Sequence, residues 1–189
     1  MSTRNVLLIC VVVGIASAIA GIGTYSAFSG TTSNTGDSFA SGTVTMTDND
    51  SGSALLSLSN AKPTDSVTGC IKATYTGSLA AGVRLYGTVT GSLAQYLTLT
   101  VTRGTNTSTF PSCASFTADA TDYGNGPGII YTGNLSAFPA TWSAGLVDPT
   151  AAWATNDAHA YKFVVTVQDN NGAQGLTSTA SFTWEARNN

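Results

Sequence analysis

"QYLTLTVTR", Gln95 to Arg103, is the stretch on which the fold turns. Leu97, Leu99 and Val101 alternate without a break with Tyr96, Thr98, Thr100 and Thr102. A period of two places the apolar side chains on one face of a strand and the hydroxyls on the other, whereas a helix would scatter both sets. Thr is β-branched and keeps the outer face of a sheet wet without adding charge.

The same pattern recurs outward from this segment. "SVTGCIKATYT" (66–76) places Val67, Ile71, Ala73 and Tyr75 on one face and Cys70 on the other. "AGVRLYGTVTG" (81–91) follows. In "HAYKFVVTVQD" (159–169), Tyr161, Phe163 and Val165 alternate with Lys162, Val164 and Thr166. In "TSTASFTWEA" (177–186), Ala180, Phe182 and Trp184 share a face, and "DNNG" (169–172) between the two reads as a hairpin turn. "SFASGTVTMT" (38–47) is a first strand with Phe39, Val44 and Met46 as core candidates, and "SALLSLS" (53–59) is a short second one. "NAKPTD" (60–65) is a turn, where Pro63 ends the pairing. From Gly104 to Ala158 the pattern loosens. "GTNTSTFPSCAS" and "DYGNGPG" are loops, "IIYTGNL" (129–135) is a short strand, and "DPTAAWATND" (148–157) is expected to make one helical turn. About eight strands and almost no helix predict an all-β, two-sheet antiparallel sandwich, jelly-roll or Ig-like in type.

Composition sets the compartment. Apolar residues make up 42% of the 189-residue chain, enough for one domain with a core. Charged residues make up 9%, against about a quarter in an average domain, while Ser and Thr fill roughly a quarter. That balance points to an extracellular β protein. The seven basic residues (Arg4, Lys62, Lys72, Arg84, Arg103, Lys162, Arg187) are scattered, and net charge is −3, which argues against nucleic acid as a partner.

The N-terminus has the form of an export signal. Arg4 precedes an apolar run from Val6 to Ala20, and small-x-small sites follow at Ala18–Ala20 and Thr24–Ser26. Its length to Gly23 also approaches one membrane span, but no Lys/Arg cluster follows as a stop signal, so export is the reading taken. Cys10 leaves with the signal, and the even pair Cys70 and Cys113 remains for an oxidising compartment. A disulfide is expected between them, since no CxxC pair or His cluster supports a metal site.

Catalytic motifs are missing. His159, the single histidine, opens a strand and reads as a solvated or core-edge residue. There is no HExxH, no GxSxG, no P-loop and no dinucleotide fingerprint. "TDNDSG" holds Asp48 and Asp50 at i and i+2, an oxygen-rich turn that is a weak calcium candidate, without the later glutamate of an EF-hand loop. Asp119 and Asp122 read as loop carboxylates, and Trp142, Trp153 and Trp184 as core or loop anchors. No cofactor is indicated, and the chain reads as a non-enzyme.

An ordered set of motifs then gives a resemblance. It comprises "GTYSAF" at Gly23–Phe28, the first strand "FASGTVTM" at Phe39–Met46, the turn "LSNAKPTD" at Leu58–Asp65, and "TGSLAAGVRLY" at Thr76–Tyr86. Together these resemble the TasA/camelysin family of secreted Gram-positive proteins over roughly the first 90 residues. The resemblance implies signal cleavage between Ser26 and Ala27 by a dedicated signal peptidase and a jelly-roll body. It also implies assembly into biofilm-matrix fibres, the freed segment of one subunit inserting as a strand into the next. This chain departs from better-known members in having far fewer Lys and Glu and in carrying the Cys70/Cys113 pair. The metalloprotease label attached to camelysin does not transfer, because no zinc-ligand constellation is present.

The expected organisation is a signal helix and peptide over 1–26, a donor-strand segment over 27–38, and a β-sandwich over 39–189. In the donor segment Phe28 is the anchor, Thr31, Thr32 and Thr35 are strand formers, and Gly30 and Gly36 permit bending. The partners expected are other copies of the chain, head to tail, and other matrix proteins, with no membrane after cleavage. Composition alone equally allows a flexible spacer at 27–38. The rival function is a monomeric cell-surface adhesin using the loops between Gly104 and Ala158.

Overall fold

The computed structural model describes residues 41–106 and 109–188. The expected signal helix and cleavage site (Ser26, Ala27) lie outside the described residues, as do the donor-segment positions Phe28, Thr31, Thr32 and Thr35.

Among the described residues nine strands follow in order: β1 (Met46–Asp48), β2 (Ser66–Tyr75), β3 (Gly82–Thr90), β4 (Leu97–Thr105), β5 (Thr117–Ala118), β6 (Ile129–Asn134), β7 (Leu146–Val147), β8 (Ala158–Val167) and β9 (Thr179–Arg187). All pairings are antiparallel. One sheet runs β1-β2-β8-β4, with β5 and β6 sharing the far edge of β4, and a three-stranded sheet runs β7-β3-β9. The chain is thus an all-β, two-sheet antiparallel sandwich.

Alternation explains which faces meet. Leu97, Leu99 and Val101 are buried while Thr98 and Thr100 are half-exposed, and Tyr161, Phe163 and Val165 behave in the same way on β8. Ile71, Ala73 and Tyr75 of β2 join them from the large sheet, and Val83 and Leu85 of β3 from the small one. Aromatic side chains link the layers. Phe163 lies 4.5 Å from Phe182 and 5.9 Å from Trp184 of β9, ring centre to ring centre, and Tyr161 lies 5.2 Å from Trp184. Each such large side chain contributes about 1.5–3 kcal/mol by leaving water.

Four expectations are corrected. "DNNG" does not close a hairpin: β8 is central, paired to β2 and β4 on its two sides, so no edge is left for β9, which pairs with β3 in the other sheet. Residues 168–178 are a crossing between layers. "SALLSLS" forms no strand, because its Leu55 and Leu56 turn inward against the core. The "DPTAAWATND" segment forms no helical turn. Its polar groups are spent on fixed partners instead, with Ala154 N donating to Asp157 Oδ2 (2.7 Å) and Trp153 bridging to Ala81. The first strand is a regular ladder only at Met46–Asp48, upstream of which the Thr43 carbonyl accepts from Ser78 N (2.9 Å) and Leu79 N (3.3 Å) and the Thr45 carbonyl from Thr76 N (2.8 Å).

Cys70, expected on the outer face, is there and is nonetheless fully buried. The loop after β4 folds over it: Cys70 N donates to Pro111 O (2.9 Å), and Cys70 is bonded to Cys113 with Cα atoms 5.2 Å apart. Closing a loop between residues 43 apart stabilises by about 4 kcal/mol in the chain-entropy picture. The paired change Cys70→Ser, Cys113→Ser is expected to lower unfolding stability by about 2–4 kcal/mol, read from urea denaturation. An unchanged midpoint would refute the clamp.

Candidate functional site

Two places gather unusual chemistry. The first is a buried polar hub where the chain runs from β2 into β3. On β4 the inward positions are odd-numbered, so after Leu97, Leu99 and Val101 the next inward side chain is Arg103, which is only 5% exposed. Its Nε donates to Asp148 Oδ2 (2.8 Å), its Nη2 to Thr150 Oγ1 (2.6 Å), and its Nη1 to Asp119 Oδ2. Asp148, equally buried, accepts three further donors: Tyr161 OH (2.7 Å), Trp153 Nε1 (3.0 Å) and Thr150 N (2.8 Å). Burial disfavours the Arg103 charge, but Asp148 and Asp119 outweigh it and hold the guanidinium firmly protonated. Burial, then Asp148, pushes the Tyr161 hydroxyl well above its ordinary range.

His159 closes this hub. Its ring packs edge-on against Trp153 at 4.6 Å, Nε2 lies 3.3 Å from Thr150 Oγ1, and Nδ1 is buried without a partner. Burial first, and then the Arg103 charge, lower its pKa. Of the two placements the sequence allowed, solvated or core-edge, His159 takes the core edge. Neither of the two cavities described below is lined by hub residues. The hub braces the 148–157 loop, β4 and β8, and removing one partner of such a pair costs about 3–5 kcal/mol.

The second place is the free edge of β9. On the far side of β3, Val83 O accepts from Asp148 N and Gly87 N donates to Pro139 O, so the even-numbered residues of β3 face β9. Their partners are the odd-numbered Ser181, Thr183 and Glu185. Ala180, Phe182, Trp184 and Ala186 therefore turn amide and carbonyl to the outer edge, where no described strand pairs with them. The side chains of Phe182, Trp184 and Ala186 pack against the core, while Ala180 is exposed beside the cleft described next.

Alongside this edge runs a cleft. Its wide part, about 770 Å³, lies between the Ala54–Ala61 segment and Leu176–Phe182, with Val67, Val165 and Leu97 at its base. A smaller recess of about 170 Å³ continues beside Trp184, between β9 and Met46–Asp48. Trp184 Nε1 is buried without a hydrogen-bond partner. Such an orphaned donor costs about 1–3 kcal/mol.

Asp48 and Asp50 spend carboxylate oxygens on their own turn, Asp48 Oδ1 accepting from Asp50 N (3.2 Å) and Asp50 Oδ1 from Gly52 N (2.6 Å). Burial raises the Asp48 pKa, which disfavours the charged form a cation needs. Among the described residues no group of three or more His, Cys, Asp or Glu side chains is placed to hold a metal. Asp119 belongs to the hub. Asp122 caps its own loop through Gly126 N (2.9 Å) and Gly124 N (2.7 Å), bonds that hold its carboxyl below the usual range. Trp153 is a core residue, and Trp142 lies between Arg84 and Arg187, 5.2 and 4.5 Å from its ring centre.

Sequence reasoning missed both places. The hub had a signal, since Arg103 continues the inward parity of Leu97, Leu99 and Val101. The edge of β9 had none, because the hairpin expectation paired it with β8. No protein-family model matches the chain, and no curated protein matches it in sequence.

The hub predicts an acid dependence. A histidine with a depressed folded pKa contributes stability above its unfolded value, about 6.5, and loses it as pH falls toward the folded value. Unfolding stability should therefore decline between about pH 7 and 5, and His159→Asn should flatten that part of the profile. Parallel profiles for the two proteins would show that the hub does not oppose His159 protonation.

Proposed function

We propose that the chain is a secreted, non-enzymatic structural subunit that forms extracellular fibres by strand exchange. In this reading, signal cleavage after Ser26 frees Ala27–Ser38 of one copy, which adds to the edge of β9 in the next. The observation that carries the reading is that nine-residue edge, open and flanked by an apolar cleft.

Long free edges are a liability that monomeric proteins normally blunt. Every other edge in the described residues is short or guarded. β1 has three residues, and β5 and β7 have two each. Past the downstream end of β1, the edge of β2 is covered by Asn49 Oδ1, which accepts from Lys72 N (2.8 Å), and by Pro111 O on Cys70 N. β6 is bent by a register shift against β4. β9 is nine residues long with no register shift, and its charges, Glu185 and Arg187, are confined to its C-terminal end.

The occupant fits by length and by direction. Twelve residues at about 3.3 Å each span about 40 Å, more than β9 requires. The chain enters the sandwich at the end where β2 runs into β3, since Thr43 N donates to Ser78 Oγ (2.9 Å). The wide mouth of the cleft, at Val67 and Ala180, is at the opposite end. A segment leaving one end and entering at the other links copies head to tail, and such a heterologous contact propagates instead of closing. Stacked this way, the incoming strand runs antiparallel to β9. Phe28 is the single large apolar side chain in Ala27–Ser38 and supplies an anchor for an apolar cleft.

The test is electron microscopy and sedimentation of the Ala27–Asn189 product beside a version starting at Phe39. Fibres are expected from the first and monomers from the second, with Phe28→Ala assembling several-fold less. Folded monomers from both would refute strand exchange.

A further inference from the structure

The Ala54–Ser59 segment, expected from its sequence to be a strand, lies unpaired in the wall of the cleft. No backbone hydrogen bond to the rest of the described protein is made by residues 54–61. Leu55 and Leu56 are half-buried against the core, and Leu58 is 39% exposed. What admits this segment between the sheets is Gly69. It lies on the inward face of β2 with Val67, Ile71 and Ala73, and a Cβ there would fall 2.5 Å from Leu55 O, 2.9 Å from Leu55 Cδ1 and 3.1 Å from Leu56 Cδ2. The backbone of Leu55 thus occupies the space that an inward side chain of β2 would take.

The ends of the segment are hinged. Ser51 (φ 52°) and Gly52 (φ 77°) precede it, and Asn60 (φ 51°) and Thr64 (φ 71°) follow it, all in the left-handed region. Non-glycine residues there are uncommon and carry strain of order 1 kcal/mol each. A segment held by two leucines, with no ladder and strained ends, belongs to the low-stability end of a fold.

We propose that Ala54–Ser59 is a resident stopper: packed on Gly69 of β2, it walls the cleft beside β9 in the free subunit and is displaced when a strand from another copy docks. This inference rests on the strand-exchange reading above and adds a control to it. The stopper covers apolar surface that would otherwise face water, and it sets a barrier that the incoming segment must overcome. A ladder along β9, which the stopper does not make, drives the replacement. Gly69 matters because any side chain there excludes the resident segment.

The experiment uses the Ala27–Asn189 product, comparing wild type, the Leu55→Ala/Leu56→Ala pair, and Gly69→Ala, which acts from β2 and leaves the segment itself unchanged. Assembly is followed by light scattering, and limited proteolysis with mass-spectrometric mapping is run on free subunits and on fibres. Both variants are expected to shorten the lag several-fold, and cleavage between Leu55 and Leu58 is expected to appear in wild-type fibres but not in free subunits. Wild-type fibres with that stretch still resistant, and variants that assemble no faster, would overturn the stopper while leaving strand exchange intact. Folded protein that never assembles in any of the three forms would overturn both.

Discussion

The inner face of the large sheet is wider than the three-stranded sheet laid over it, and the excess has to be covered by something other than strand. At one flank β5, β6 and their loops wrap the edge of β4. At the other, β1 is three residues long and the cover falls to Leu55 and Leu56, tucked against Gly69. The cleft, the open edge of β9 and the orphaned Nε1 of Trp184 all lie along this second flank. They share one cause, a small sheet that is one strand too narrow for its partner.

The remainder of the molecule is fastened in ways that leave this flank free. The Arg103–Asp148 hub ties β4, β8 and the 148–157 loop at the β2–β3 end, with four donors converging on one carboxylate. A buried ion pair is seldom more stabilising than an apolar replacement, but it tolerates only one arrangement of its partners. The disulfide fixes the 109–116 loop on the outer face of β2. Neither fastening touches residues 54–61.

What could be read from the sequence followed from parity. Unbroken alternation in Gln95–Arg103 and in Tyr161–Thr166 specified strands, their inward faces and the two-sheet class, because a period of two admits no other regular structure. The Cys70–Cys113 pairing followed from counting. Pairing partners did not follow, since alternation states which face is apolar but not which neighbour lies beside it. "DNNG" is a sound turn sequence, yet it cannot show that β8 already has two neighbours. The hub was half legible, with Arg103 marked by its inward position, while Asp148 and Thr150 came from a segment read as one helical turn.

The failed strand at Ser53–Ser59 is the most informative of these differences. A sequence that reads as strand but pairs with nothing shows local propensity in conflict with the free subunit's fold, and such conflicts concentrate where function demands them. The conflict lies along the one long edge that lacks a cover among the described residues, between two stretches of left-handed backbone. Ordinary fold maintenance would remove it, either with a side chain at Gly69 or with a fourth strand in the small sheet. A flank kept incomplete, with a poorly held segment in place of a strand, suits a subunit whose lowest-energy state includes a strand from another copy.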